Sequence, residues 1–209
     1  MYIPDFNLQK DKKQVIDFIK RFSFGTIITS KNNIPIATHL PFLVTENKEG
    51  IVLTSHFAKA NEHWRDIKKN KVLVIFSEPH AYISPKNYEK ELNVPTWNYI
   101  SVHTYGEGKV INKIERITEL LENTIENYEV EYKQQWNELP KEFKRKMIKG
   151  IVAFEINVTD IQAKEKLSQN KTGKERQNII NSLSNSKDTN EKAIAEYMKK
   201  RLNEYRGGS

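Results

Sequence analysis

Residues 94–106 carry the sequence VPTWNYISVHTYG, the segment that decides most about this chain. After its proline the chain predicts a strand over residues 98–111, with Gly106 and Gly108 as sites for a bulge or bend. The tryptophan and tyrosines offer flat apolar faces with a polar handle, and the asparagine and histidine offer adaptable hydrogen bonding. This mixture is typical of a surface that grips a planar ligand with polar edges.

Outward from this segment, the chain predicts about six strands joined by short connections. Short connections favour antiparallel neighbours, and a sheet of this size closes readily into a small Greek-key barrel, which protects its edges. The predicted fold class is therefore mainly β with flanking helices, an α+β protein. The predicted strands cover residues 24–30, 34–44, 51–55, 72–77, 98–111 and 151–158.

The predicted helices lie at the margins of this sheet. Apolar residues spaced by three and four predict a helix over residues 13–22 and another over residues 57–67, the latter with Ser55 as its N-cap. Residues 78–96 contain three prolines and little periodicity, which indicates a long functional loop. A further helix is predicted to start at the capping-box pattern of Asn112 and Glu115. Three more predicted helices cover residues 141–149, 175–183 and 190–205.

Composition narrows the class of protein. A chain of 209 residues allows one domain with an appendage. Because there is no cysteine, disulfides, iron–sulfur clusters and thiol chemistry are excluded. No apolar run approaches the roughly 18 residues that span a bilayer, and the first residues lack the pattern of a signal peptide. We therefore expect a cytoplasmic protein without a membrane partner.

The net charge of +7 is concentrated near the C-terminus. Residues 164–209 contain eleven Lys and Arg but only six Asp and Glu. A basic segment of this kind can contact nucleic acid by neutralising phosphates, and a solvated helical face rich in lysine explains it equally well. We predict a domain at residues 1–163 and a basic helical extension at residues 164–209, with residues 207–209 set aside as a tail.

The junction between the third predicted strand and the helix after it is a candidate anion site. A helix N-terminus offers free backbone N–H groups and the positive end of a dipole. The hydroxyls of Thr54 and Ser55, the His56 ring and the Lys59 ammonium could complete a phosphate cradle there. The alternative is a plain serine cap beside a solvated lysine. No glycine-rich nucleotide-binding motif is present.

The five histidines fall between residues 39 and 103, but their spacing does not indicate a metal site. Hydrogen bonds to a ligand or structural contacts are the favoured roles. Neither a G-x-S-x-G motif nor a Cys–His pair is present, so no catalytic residue is predicted. The polar run at residues 164–171 either forms a surface loop or lines a ligand or partner site. Its candidate ligand-side members are Lys166, Ser168, Gln169 and Asn170.

Seven segments stand out in their order along the chain: MYIP at 1–4, THLPF at 38–42, HFAKANEHW at 56–64, FSEPHAYISP at 76–85, VPTWNY at 94–99, VHTYG at 102–106 and KLSQN at 166–170. Taken together, these segments resemble the PaiB family of FMN-binding negative transcriptional regulators. The resemblance spans roughly residues 1–185. It implies an FMN-binding split barrel related to pyridoxamine-phosphate-oxidase-like flavoproteins, a homodimer with FMN at the subunit interface, and repression of genes for sporulation and secreted degradative enzymes.

The resemblance also implies roles for individual residues. Residues 54–61 match the place where such barrels hold the FMN phosphate, and the segment around Trp97 would border the flavin or the dimer seam. The run at 166–170 would lie on the ligand side. The candidate cofactor-binding residues are Thr38, His39, Thr54, Ser55, His56, Lys59, Asn61, Trp97, Asn98, Lys166, Ser168, Gln169 and Asn170.

Three kinds of function stay open at this point. The first is an FMN-binding homodimeric repressor, with DNA as a candidate partner of the basic extension, although no helix-turn-helix pattern is present. The second is a flavin-dependent oxidoreductase or a haem-handling split-barrel enzyme. The third is a barrel that has lost its cofactor and regulates by protein contact.

Overall fold

A computed structural model describes residues 1–48 and 50–207 of the chain, with side chains up to residue 203. These residues form an antiparallel sheet of eight strands and six α-helices. The strands are β1 (Phe24–Lys31), β2 (Ile34–Pro41), β3 (Leu43–Asn47), β4 (Gly50–Ala58), β5 (Lys71–Phe76), β6 (His80–Ile83), β7 (Thr96–Val110) and β8 (Ile151–Lys166). The helices are α1 (Lys12–Arg21), α2 (Ile114–Tyr128), α3 (Tyr132–Glu138), α4 (Lys141–Lys149), α5 (Gly173–Ser184) and α6 (Thr189–Gly207).

The strands pair in the order β2-β1-β5-β7-β8-β4-β3, and β6 pairs with β7. This arrangement confirms the predicted class, an antiparallel sheet with flanking helices. The pairing path starts at β2 and ends at β3, so among the described residues the ladder does not run round into a closed ring.

The described residues divide into two compact units. Unit 1 consists of residues 1–15, 77–102 and 162–207, and unit 2 consists of residues 16–76 and 103–161. The strands β7 and β8 each contribute residues to both units. The predicted division into residues 1–163 and 164–209 stays a prediction.

Within unit 2, the β1–β2 hairpin shows most directly how local sequence sets local structure. Lys31 pairs with Ile34, which leaves Asn32 and Asn33 as a two-residue turn with φ angles of 52° and 64°. Asparagine tolerates this left-handed conformation better than most residues, and a turn of two such residues matches the twist of the strands. The predicted turn is confirmed.

Four buried phenylalanines form the centre of unit 2. The rings of Phe57 on β4 and Phe154 on β8 stack with centroids 4.8 Å apart. The Phe42 ring meets Phe76 and Phe154 edge-on, at 5.7 Å and 6.2 Å. Stacked and edge-to-face pairs are the favoured geometries of aromatic rings, so this cluster holds β4, β5 and β8 to the segment between β2 and β3.

The helix predicted over residues 57–67 is wrong. The strand β4 continues to Ala58 and pairs with β8 along its length, ending with Ala58 opposite Ile151. Only a short 3₁₀ helix follows, at Glu62–Arg65. Pairing with β8 satisfies the backbone groups of residues 55–58, and the pleat buries Phe57 in the core, so tertiary contacts override the helical spacing of the apolar residues.

Other differences follow from strand pairing that the sequence pattern does not reveal. The predicted loop over residues 78–96 contains β6, whose four residues pair with the start of β7. The strand β8 extends to Lys166 rather than ending near residue 158, so the polar run begins inside a strand.

The predicted strand over residues 34–44 is two strands, broken at Phe42, and α3 was not predicted. The capping box at Asn112 is also wrong, because α2 starts at Ile114 with Lys113 as its N-cap.

Replacing Gly106 should weaken the fold. A Cβ atom at Gly106 would lie 2.3 Å from the Asn157 carbonyl oxygen on β8. Because that atom belongs to backbone, Gly106→Ala should lower the free energy of unfolding by about 1–3 kcal/mol or more. Denaturation in urea measures this loss. The matched control is Gly173→Ala at the start of α5, where an added Cβ meets nothing within 4 Å. Equal midpoints for both variants would contradict the close approach.

Candidate functional site

A cavity in unit 1 brings together five of the predicted cofactor-binding residues. Its volume is about 450 Å³, within the range of roughly 300–1,000 Å³ that is typical of ligand sites. The N-terminal segment, the start of β7, the end of β8 and the loop after β8 form its walls. We call it the lysine cavity, after Lys164, Lys166 and Lys171. The predicted residues that line it are Asn98, Lys166, Ser168, Gln169 and Asn170.

The lysine cavity is electropositive. Successive side chains of a strand point to opposite faces, so Lys164 and Lys166 share one face of β8. Lys171 joins them from the loop that leads into α5. None of the residues described as lining the cavity is an aspartate or glutamate. Three positive charges without a compensating carboxylate in the walls favour an anionic ligand.

Each lysine is held in place by neighbours that leave its charge intact. Lys164 Nζ donates to the Tyr2 carbonyl oxygen at 3.2 Å and lies 5.2 Å from the centre of the Tyr99 ring. Lys166 Nζ donates a hydrogen bond to the Thr96 hydroxyl. These partners are neutral, so the ammonium groups stay available to an anion.

Aromatic faces complete the lining. The Lys171 ammonium lies 3.7 Å from the centre of the Tyr88 ring and donates to Asn93 Oδ1 at 2.9 Å. Tyr2 and Tyr99 contribute further rings to the walls. Flat rings beside positive charges suit a planar ligand that carries an anionic group.

The loop after β8 is fixed by its own hydrogen bonds. The Ser168 hydroxyl donates to Asn98 Oδ1 at 3.0 Å, and Asn98 is fully buried. The Leu167 amide donates to Gln169 Oε1 at 2.7 Å. Ser168 has φ +59°, a left-handed conformation that is uncommon outside glycine and asparagine. A strained residue held by surrounding bonds at a cavity wall is a feature of ligand-binding loops.

Two buried polar atoms at the cavity are left without a hydrogen-bond partner among the described residues: Asn7 Oδ1 and the Tyr88 hydroxyl. Asn7 is only 4% exposed. An unpaired buried acceptor costs about 1–3 kcal/mol, so a ligand with a donor group would remove a standing penalty at this position. Burial raises the pKa of the Tyr88 hydroxyl, with Glu175 and Tyr82 adding to the effect, so this group stays protonated and able to donate.

The side chain of Trp97 does not line this cavity. Thr96, Asn98 and Tyr99 line the cavity, whereas Trp97 lies at the surface of unit 1 opposite Tyr82 of β6. There its ring meets the Tyr82 ring edge-on at 5.8 Å and the His80 ring at 5.9 Å. The side chain is 52% exposed, so it belongs to a surface cluster rather than to the core.

The remaining predicted residues lie in unit 2, where Thr38 and Asn61 belong to a buried network around His63. The Thr38 hydroxyl lies 2.9 Å from His63 Nδ1, and the Thr29 hydroxyl lies 2.9 Å from His63 Nε2. Asn61 Nδ2 donates to the Thr38 hydroxyl at 3.2 Å. Burial lowers the pKa of His63, and the Asp66 carboxylate offsets part of that effect. The lowered pKa favours a neutral ring with both nitrogens engaged.

The helix end on which the predicted phosphate cradle depends is absent, because residues 55–58 belong to β4. Ser55 is buried and donates its hydroxyl to the Pro41 carbonyl oxygen at 2.6 Å. Thr54 lines a second cavity of about 420 Å³ against α2. His56 is half-buried on the strand, where burial lowers its pKa, and Lys59 is exposed beyond the strand end. These side chains alternate along a strand and do not converge on one point.

His39, the last predicted residue, lies on the exposed edge strand β2 and stacks against Phe24 with ring centroids 6.4 Å apart. Sequence reasoning missed Asn7, Lys164, Lys171 and His63. Lys164 could have been found from its spacing of two residues from Lys166, had β8 been predicted at its full length.

Within the described residues, no group of three or more His, Asp or Glu side chains is placed to hold a metal ion. None of the described helices has the length and apolar character needed to cross a membrane.

Comparisons with known proteins give the relationships of the chain. A family model described as "Putative FMN-binding domain" matches residues 1–160. The chain is 40% identical over 205 residues to protease synthase and sporulation protein PAI 2 of Bacillus subtilis, which covers 97% of this chain and 98% of that protein.

Two solved structures resemble the fold. An FAD- and haem-binding protein from Mycobacterium smegmatis superposes with a TM-score of 0.60 at 13% identity, over 77% of this chain and 73% of its own. The flavocytochrome Anf3 from Azotobacter vinelandii superposes with a TM-score of 0.58 at 14% identity, over 78% of this chain and 72% of its own chain. At such identities the likeness shows the fold alone, and it confirms the predicted split barrel.

Proposed function

Because the chain belongs to the PaiB family, whose domain model is described as FMN-binding, we propose that it binds FMN in the lysine cavity. One observation carries this assignment: five residues predicted from the sequence converge on one cavity that has three lysines and no carboxylate among its described lining residues. FMN combines a phosphate with a flat ring system that has polar edges, which is the chemistry these walls suit.

The residues of the cavity divide by chemistry. The ammonium groups of Lys164, Lys166 and Lys171 would hold the phosphate, because charge-assisted hydrogen bonds are the strongest available to it. The amides of Gln169 and Asn170 would bond the polar edge of the ring system, since an amide both donates and accepts. A bound FMN supplies redox chemistry through its ring, and the protein contributes binding and orientation.

A homodimer is part of the proposal. Tyr82 and Trp97 form an exposed aromatic cluster on unit 1, and the loop before β7 adds the exposed side chains of Leu92 and Val94. Exposed apolar clusters of this kind mark interaction sites, and tryptophan and tyrosine are enriched among the residues that dominate interfaces. A second copy of the chain is the partner that the family resemblance implies.

The unit 2 residues take a smaller part in this proposal. His39 and Lys59 are exposed and stay candidates for contacting the cofactor of a second copy. Ser55 is engaged with Pro41, and Thr38 and Asn61 are engaged with His63, so their role is to hold β2 and β4 in place. Thr54 and His56 stay candidates for contacting the cofactor.

We infer a regulatory role for the protein, as a negative regulator of genes for sporulation and degradative enzymes in the cytoplasm. The name of the Bacillus subtilis relative, which is 40% identical, supports a connection with protease synthesis and sporulation. A flavin-dependent oxidoreductase or haem-handling enzyme is the second candidate, favoured by the fold shared with flavin- and haem-binding proteins. Reduction of the bound flavin by NADPH with turnover would select the enzyme.

Purified protein titrated with FMN should give a flavin spectrum near one FMN per chain. Lys166→Gln keeps a polar side chain that can donate a hydrogen bond but removes a charge, so it should weaken FMN binding by about tenfold. Lys199→Gln removes an exposed charge from α6 and is the matched control, with affinity expected to equal that of the wild type. No binding at high micromolar FMN would overturn the proposed function. Equal affinities for all three proteins would show that Lys166 does not bind the phosphate.

Trp97→Ala should raise the dissociation constant of the homodimer by at least about tenfold, because interface tryptophans commonly contribute about 2 kcal/mol or more. Sedimentation equilibrium measures the constant. Phe143→Ala on α4 removes a ring that is 47% exposed and should leave the dimer unchanged. A monomeric wild type, or a dimer insensitive to Trp97→Ala, would contradict the proposed interface.

Direct repression would place the basic C-terminal residues against DNA. The association constant should then fall steeply with salt, with a logarithmic slope near −0.9 for each phosphate contact. Replacing Lys199 and Lys200 with Gln should reduce that slope by about 2 if both contact phosphates. Fluorescence anisotropy with a labelled duplex measures both effects. Binding that is absent or independent of salt would leave protein contact as the route to regulation.

A further inference from the structure

We propose that occupancy of the lysine cavity controls how firmly the C-terminal helix α6 is docked on unit 1. The inference rests on the proposed function, because FMN is the anion expected in the cavity. The inference is based on a wall of the cavity that contacts both the ligand and α6. Some residues that face the ligand also contact α6, and others are next in the chain to residues that contact α6.

The end of β8 is the clearest part of this shared wall. Lys164 and Lys166 face the cavity, and Glu165 between them is turned to the other face of the strand. The Glu165 carboxylate is buried and receives hydrogen bonds from Arg201 on α6, with Nε at 2.7 Å and Nη2 at 2.6 Å. Gln9 Nε2 donates to its second oxygen at 3.0 Å. A partly buried ion pair in which two guanidinium nitrogens contact one carboxylate oxygen is a specific anchor for the helix.

Asn98 is the second shared element. It lines the cavity, and its Oδ1 accepts from Ser168, whose loop also faces the ligand. Its Nδ2 contacts Met198 Sδ of α6 at 3.6 Å, and Met198 is buried. A ligand that pulls on Asn98 or Ser168 therefore acts on a side chain that packs against α6.

The start of the helical pair α5–α6 is tied to the cavity as well. Lys171 lines the cavity, and the next residue, Thr172, caps α5 through a capping box with Glu175. Glu175 Oε1 also accepts from the Glu89 amide at 3.2 Å. The loop that the ligand contacts thus ends at Thr172, the N-cap of α5, and α5 packs against α6.

Electrostatics give the direction of the effect. With no anion bound, the ammonium groups of Lys164 and Lys166, which share one face of β8, repel each other, and this favours movement of the strand end that carries them. An anion removes that repulsion and fixes Lys164 and Lys166, and with them Glu165. A better-placed Glu165 binds Arg201 more firmly. Because coupling between two sites is reciprocal, the ligand must bind the form with α6 undocked more weakly by the same factor.

Hydrogen exchange on the wild-type protein, with and without saturating FMN, tests the first half of this statement. FMN should slow exchange of the α6 amides by about tenfold, a typical size for coupling between two sites. The α4 amides, in unit 2, serve as the internal reference and should change little. Unchanged α6 exchange in a protein that has bound FMN would overturn the coupling without the need for any variant.

The reciprocal half is tested with Arg201→Gln, which removes the ion pair and leaves the cavity lining intact. Its affinity for FMN should fall by up to about tenfold, because the variant populates the form with α6 undocked more than the wild type does. Lys200→Gln removes the neighbouring exposed charge and should bind FMN like the wild type. Equal affinity in Arg201→Gln and wild type, or equal losses in both variants, would overturn the coupling and leave the proposed function standing. Failure of the wild type to bind FMN would overturn the proposed function, and this inference with it.

Discussion

The alternation of side chains along β8 is the constraint on which the rest of the structure depends. In its first half, pairing with β4 keeps residues 55–58 in a strand and brings Phe154 against Phe57. At Asn157 its backbone approaches β7 so closely that only glycine fits at position 106. At its end the same pleat separates two lysines that face a cavity from a glutamate that anchors a helix.

Where sequence signals and structure agree, the deciding forces are local. The Asn32–Asn33 turn follows from backbone preference, and α4, which spans Lys141–Lys149 as predicted, ends before a glycine. Where they disagree, a distant partner decides. The apolar spacing over residues 57–67 is helical, yet the ladder with β8 overrides it. The four residues of β6 form a strand because β7 offers an edge, which no periodicity in so short a segment can signal.

The same distinction between local sequence and distant partners separates the site residues that could be predicted from those that could not. Lys166, Ser168, Gln169 and Asn170 could be singled out because they lie close together in one polar run. Asn7 could not, because its importance comes from being buried without a partner, and burial of a polar residue near the N-terminus is a property of the packed chain. His63 was missed for a related reason, since its two threonine partners lie 34 and 25 residues away. Its position in the segment HFAKANEHW was the available signal.

A flavin that serves a regulator and a flavin that serves an enzyme make different demands on a fold. An enzyme needs access for a second substrate, whereas a regulator needs a ligand that distinguishes two states of the protein, because equal affinity for both states shifts nothing. In the lysine cavity, a bound anion would pair with the ammonium groups of the lysines, and a donor group of the same ligand would satisfy the unpaired Asn7 oxygen. Through the proposed coupling at Glu165 and Asn98, binding of a small anion would act on the basic helix that we propose meets DNA.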